Sequence, residues 1–280
     1  MHLNIAEFAA ILFGGAILAG FLGSLTGLGG GIVIVPLLTL GFGVDLRYAI
    51  GASLITVIAT SSGAASAYVR EGYSNIRIGM FLEIATTIGA LVGAFLGGIL
   101  SPDFIAVIFG LALLYSAFLS IRPRAEHAAA HTSDPIAVRM KLPSTYPVNG
   151  EMVAYGVHNV AAGFGLMWLA GILSGLLGIG SGAMKVLAMD HAMKLPFKVS
   201  TTTSNFMIGV TAAASAGVYL HRGYIDPVLA MPVVLGVLAG SMVGAKILGR
   251  SAPRTLRVVF SIVIFILAIE MIYNGATGKI

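Results

Sequence analysis

The chain has no cysteine in its 280 residues. That absence excludes disulfides, thiolate metal sites and any mechanism that relays a group through a thiol. Charge is scarce as well: 10% of residues are charged, where a soluble domain has roughly 25%. No HExxH motif and no Gly-Lys-Ser or Gly-Lys-Thr stretch occurs, so neither a zinc hydrolase nor a P-loop nucleotide site is expected. Nothing indicates a cofactor, a metal, a nucleic-acid partner or a catalytic nucleophile–base pair. The N-terminus, Met1 to Ile5, lacks the basic stretch of a cleaved signal peptide, so the first apolar segment reads as a retained span.

What the chain has in excess is apolar surface. Hydrophobic residues make up 58% and mean hydropathy is +0.97, more than a soluble fold of this size could hide. The expected class is an all-α polytopic membrane protein. Apolar runs fall at about 5–25, 28–41, 47–69, 76–100, 104–121, 157–178, 180–193, 199–220, 226–249 and 255–273. Eight are long enough to span. The second and seventh, about 14 residues or ~21 Å as helix, fall short of the ~30 Å hydrocarbon core.

Both short runs begin at glycine clusters, and the clusters are copies. Gly27, Gly29 and Gly31 recur as Gly178, Gly180 and Gly182, each 151 residues on. The same offset carries Ser53 onto Ser204, Thr60 onto Thr211 and Gly72-Tyr73 onto Gly223-Tyr224. Two homologous halves follow, 1–121 and 155–280, joined by a linker, 122–154, that reads as a tether. Loop charge gives their relative sense. With five crossings per half, eleven Lys and Arg fall on one side, against Arg47, Arg222 and Lys279 on the other. Four crossings per half leave no bias. Five make the halves inverted repeats, with both termini outside and the linker in the cytoplasm.

Paired interruptions in two halves point to a transporter's binding site, here for a small anion. A break leaves backbone N–H groups free, and glycine lets a ligand approach them. The candidate substrate-binding residues are Gly27, Gly29, Gly30, Gly31, Ser53, Gly178, Gly180, Ser181, Gly182, Lys185, Thr203, Ser204 and Asn205. Tight helix–helix packing is the competing account of the glycines. Lys185 is an ionisable group inside an apolar run, a functional position by default, with snorkelling to the interface as the alternative. Its repeat partner is Ile34, so the site would be asymmetric. Glu83 is a candidate coupling residue that could pair with Lys185 or take up a proton. The expected partners are a small anionic substrate and the lipid bilayer, with a homo-oligomer left open.

The run GLGGGIVIVPLL, the Gly51–Leu54 stretch and KVSTTTSNFMIGVTAAASAGVYLHRGYIDP resemble the TauE/SafE sulfite exporter family over nearly the whole chain outside the linker. The resemblance implies export or exchange of sulfite, sulfoacetate or related organosulfur anions across a bacterial or archaeal cytoplasmic membrane. The family pattern falls on Gly27, Gly29 to Gly31, Val35 and Pro36. In the second half it falls on Gly178, Gly180 and Gly182, with Ser181 in place of the middle glycine and Leu187 in place of the proline. The alternative reading is a permease-like subunit or scaffold whose glycines only pack helices.

Overall fold

The computed structural model describes residues 4–24, 31–70, 73–121, 132–148, 151–248 and 253–280. Gly27, Gly29 and Gly30 lie outside the described residues. Ten segments of the chain form helices where apolar runs are expected. In the first half these are α1 (Ile5–Ser24), α2 (Gly31–Pro36, continued by a π-helical turn, Leu37–Gly41), α3 (Leu46–Arg70), α4 (Ile76–Gly97) and α5 (Pro102–Ile121). After a short α6 (Pro135–Arg139) and a hairpin, β1 (Ser144–Val148) and β2 (Glu151–Tyr155), the second half follows. It comprises α7 (Val160–Leu177), α8 (Gly182–Leu187, continued by a π-helical turn, Ala188–Ala192), α9 (Phe197–His221), α10 (Pro227–Leu248) and α11 (Pro253–Ala276). Among the described residues, α4 and α7 are long and apolar enough to cross a membrane by length and composition alone, and six shorter apolar helices accompany them.

The repeat reappears as repeated boundaries. Gly31 and Gly182 open α2 and α8, Leu46 and Phe197 open α3 and α9, Ile76 and Pro227 open α4 and α10, and Pro102 and Pro253 open α5 and α11. The halves do not pack as separate bodies. Helix α1 packs on α10, α4 on α7, α5 on α11 and α3 on α9. Small residues permit the closest of these approaches. A Cβ at Gly93 would fall on the Ile172 carbonyl oxygen, one at Gly175 on that of Ala90, and one at Gly240 on that of Ile17.

Polarity is inverted relative to a soluble bundle. Ser53, Thr56, Thr86, Ser174, Ser200, Thr203, Thr211 and Ser215 are fully buried, while α4 turns Met80, Ile84, Ile88 and Phe95 outward. Several of these hydroxyls bond back within their own helices, Thr56 to Ala52 O (2.9 Å) and Ser215 to Thr211 O (3.2 Å) among them, a pattern that lets polar side chains sit in an apolar bundle; Ser174 and Ser200 have no hydrogen-bond partner among the described residues.

Hydrogen bonds sort the loops to two ends. At one end Asn75, Leu142, Tyr155, His158, Met193 and Thr203 meet; at the other, Arg47 donates to Leu100 O (3.1 Å) and Arg222 to Ala94 O (3.0 Å). Asn159 Nδ2 donates to Ala192 O (3.2 Å), so the segment that begins at Gly182 returns to the end from which α7 started.

The linker does more than tether. Its described part and the first residues after it fold against the bundle end, burying Ala137, Leu142, Tyr155 and Val157 against Ile78, Leu82, Met193 and Val199. Asn75 holds it there. Its Nδ2 donates to Leu142 O (2.9 Å) and to the Tyr155 hydroxyl (2.7 Å), its Oδ1 caps α4 by accepting from Ile78 N (3.0 Å), and its own N–H donates to Thr203 Oγ1 (3.0 Å). The side chain of the repeat counterpart, Asp226, accepts from Val228 N (2.8 Å). Asn75→Ala strands two buried partners, so a loss of about 1–3 kcal/mol is expected. Limited proteolysis should show it as faster cutting within 132–158. Burial pushes the Tyr155 phenol from 10.0 up to about 12. Between those values the unfolded chain releases this proton and the folded chain keeps it, so the clasp contributes fully below pH 10 and weakens as pH rises toward 12.

Candidate functional site

Helix α7 ends at Gly178 in a left-handed conformation (φ +67°), its N–H donating to Ser174 O. Gly180 (φ +71°) and Ser181 (φ +44°) are also left-handed, and α8 starts at once. Two glycines and one strained serine thus turn the chain back within four residues. Ser181 O accepts from Met184 N and Lys185 N (both 3.1 Å). Ser181 Oγ is buried and has no hydrogen-bond partner among the described residues.

The missing proline does not abolish the second break. Leu187 enters its π-helical turn with φ −60° and ψ −44°, and Pro36 enters its own with φ −60° and ψ −39°. The turns close alike, Val44 N on Leu38 O and Leu195 N on Met189 O (both 3.0 Å). π-Helical turns inside helices are frequent at functional positions.

Ser53 and Ser204 mark the two breaks symmetrically. Ser204 Oγ donates to Gly182 O (3.2 Å); Ser53 Oγ stands 3.4 Å from Gly31 O and donates to Gly178 O at 2.8 Å. The first serine therefore stitches the break of one half to α3 of the other. The glycines themselves pack closely: a Cβ at Gly31 would meet Ser53 and Val57, one at Gly178 Ile50, and one at Gly180 or Gly182 Ile208. Thr203 is committed to the Asn75 N–H at the bundle end. Asn205 is half-buried on α9.

Lys185 is completely buried rather than snorkelling. Its Nζ donates to the Thr211 hydroxyl. Thr211 Oγ1 donates in turn to Glu83 Oε1 (2.7 Å), which also accepts from Thr87 Oγ1 (3.2 Å). The chain Lys185–Thr211–Glu83 links α8, α9 and α4, and so joins the two halves. It has no copy at the repeat position, where Ile34, Thr60 and Val234 stand and Thr60 Oγ1 bonds back to Thr56 O (3.0 Å). The sequence singled out Lys185 and Glu83 but not the hydroxyl between them. The available signal was the repeat, which carries Thr60 onto Thr211. Near the end of the α8 segment, His191 Nε2 lies 3.8 Å from Asp190 Oδ2, and no group of three metal-capable side chains occurs among the described residues.

A family model described as "Sulfite exporter TauE/SafE" matches residues 12–271. The "probable membrane transporter protein YunE" of Bacillus subtilis is 28% identical over 92% of this chain and 95% of its own length. "Probable membrane transporter proteins" of Xylella fastidiosa (25% identical, 95% of each chain) and Methanocaldococcus jannaschii (27% identical, 91% and 92%) are similar over comparable spans. No solved structure matches significantly. The family match runs from the first helix to the last and takes in both breaks, Lys185 and Glu83: the chain belongs to the sulfite exporter TauE/SafE family.

Proposed function

We propose that this protein is a secondary membrane transporter of a small sulfur-containing anion such as sulfite, sulfoacetate or another organosulfonate. The observation that carries the reading is the fully buried Lys185 beside a broken helix, held by the Thr211 hydroxyl, which in turn donates to the Glu83 carboxylate of a third helix. A charged group is costly in such surroundings and is retained where a substrate or ion path needs it. The names of the relatives support transport rather than catalysis. The outward-facing apolar side chains suit a bilayer, and the return of α8 toward the start of α7 suits five crossings per half, inverted halves and a cytoplasmic linker, in a bacterial or archaeal cytoplasmic membrane. The halves, 1–121 and 155–280, would rock against each other about the site.

The anion would take the Lys185 ammonium, with Ser181, Gly180 and Gly182 beside it and the serine pair Ser53 and Ser204 bracing the two breaks. An inside-negative potential, worth ~2.3 kcal/mol per charge per 100 mV, favours export. A second reading, a permease-like scaffold, draws on the close packing of Gly31, Gly178 and Gly180. Ligand-dependent thermal stability separates the two. Sulfite, sulfate, thiosulfate, sulfoacetate, taurine, acetate and chloride would be added to the purified protein. A ligand at 100 times its Kd should stabilise by ~2.7 kcal/mol. A shift with a sulfur anion that Lys185→Ala removes is expected; no shift with any anion would leave the scaffold reading.

A further inference from the structure

The groups around Lys185 are not an anion hole alone. Lys185 has three N–H donors and spends one on Thr211. Thr211 has one hydroxyl proton, and its shortest acceptor is Glu83 Oε1. Glu83 Oε1 accepts twice, from Thr211 and Thr87. Glu83 Oε2 has no hydrogen-bond partner among the described residues, although Glu83 is only 8% exposed. The unused capacity is therefore two ammonium donors, the buried Ser181 hydroxyl and one carboxylate acceptor.

Formal charge gives the same pattern. Helix α7, packed along α4, carries no ionisable residue. On α9 the basic residues are Lys198 and His221, exposed near its two ends, with the buried phenol of Tyr219 beside the second, and on α4 Glu83 is accompanied by Arg77, which is exposed. Further along Lys185's own segment the buried Asp190 lies 3.8 Å from the His191 imidazole. Lys185 and Glu83 are the two buried charges that Thr211 joins, and they are neutral as a pair. An ion that brings only negative charge and acceptors would add an uncompensated charge there and set itself against Glu83 Oε2, which costs heavily in a low dielectric.

We infer that the site selects a sulfur oxyanion that carries its own proton donor, an O–H or N–H that reaches Glu83 Oε2 while the oxyanion takes Lys185 and Ser181. Hydrogen sulfite and hydroxy- or amino-alkanesulfonates have that chemistry; sulfate, simple alkanesulfonates and fully ionised sulfoacetate lack it. This rests on the proposed anion site and narrows its substrate class.

A matched pair of ligands tests it on the wild-type protein. 2-Hydroxyethanesulfonate and 2-aminoethanesulfonate are compared with ethanesulfonate by thermal shift and by competition against hydrogen sulfite. The donor-bearing ligands should bind about tenfold to a hundredfold more tightly, as expected for a hydrogen bond to a charged group. In Glu83→Gln, whose amide offers a donor as well as an acceptor, that preference should collapse. Equal binding of the matched ligands to the wild type would overturn the inference and leave the anion site standing. A preference that survives in folded Glu83→Gln would overturn it too, because the donor would then be read elsewhere. Failure of every sulfur anion to bind would remove the anion site itself.

Discussion

Lys185→Met should abolish anion-dependent stabilisation and anion flux in proteoliposomes, and should separately destabilise the fold by about 3–5 kcal/mol, the usual cost of breaking a buried pair from one side. The variant keeps the volume and loses the ammonium, so Glu83 is left with a negative charge and only hydroxyls around it. The two effects come apart in the double variant Lys185→Met/Glu83→Gln. With both charges gone, a neutral amide sits among Thr86, Thr87 and Thr211, and most of the stability should return in thermal unfolding. Binding and flux should not. If Lys185→Met alone still bound a sulfur anion with unchanged affinity, the ammonium would have no part in recognition, and the buried chain would be a strut between halves.

The second large effect concerns backbone approach. Gly175→Val and Gly93→Val should each cost more than about 3 kcal/mol, beyond ordinary overpacking, and should lower the yield of folded protein sharply. In both cases the new Cβ would land on a main-chain carbonyl of the facing helix, Ala90 or Ile172, which cannot swing aside as a side chain could. Gly165→Ala on the same α7 is the control, since nothing lies within 4 Å of its Cβ position. There, alanine should be neutral or gain about 0.5–1 kcal/mol from helix propensity. Detergent-solubilised yield and melting temperature report both. A tolerated Gly175→Val would mean that α4 and α7 do not lie this close.

Most helix boundaries could be read in the sequence because apolar runs are punctuated by Pro and Gly, as at Pro102, Pro227 and Pro253. The 151-residue register was visible for the same reason. Partner choice was not. A repeat says that α1 and α7 are alike, but not that each packs on the fourth helix of the opposite half. The linker was read as a tether because its buried residues, Ala137 and Leu142, and those just after it, Tyr155 and Val157, are few and form no periodic pattern. Thr211 escaped notice because a helical threonine ordinarily bonds back to its own helix, and Thr211 also lies 3.0 Å from Met207 O. Its role between Lys185 and Glu83 depends on α8 and α4 both packing on α9, which local sequence does not encode. The glycine clusters were conspicuous, yet their described members pack against Ile50, Val57 and Ile208.

The exchange of partners between halves bears on how the chain is made. Helix α1 leaves the ribosome first, but the surface it packs on belongs to α10, and α4 must wait for α7. A nascent first half therefore stands in the membrane with the glycine-lined sides of two helices unmatched, and it cannot reach its final packing however long synthesis pauses at the linker. Insertion and folding are separated in time, and until α10 is released the early helices depend on lipid or on an assembly factor to keep them from pairing wrongly.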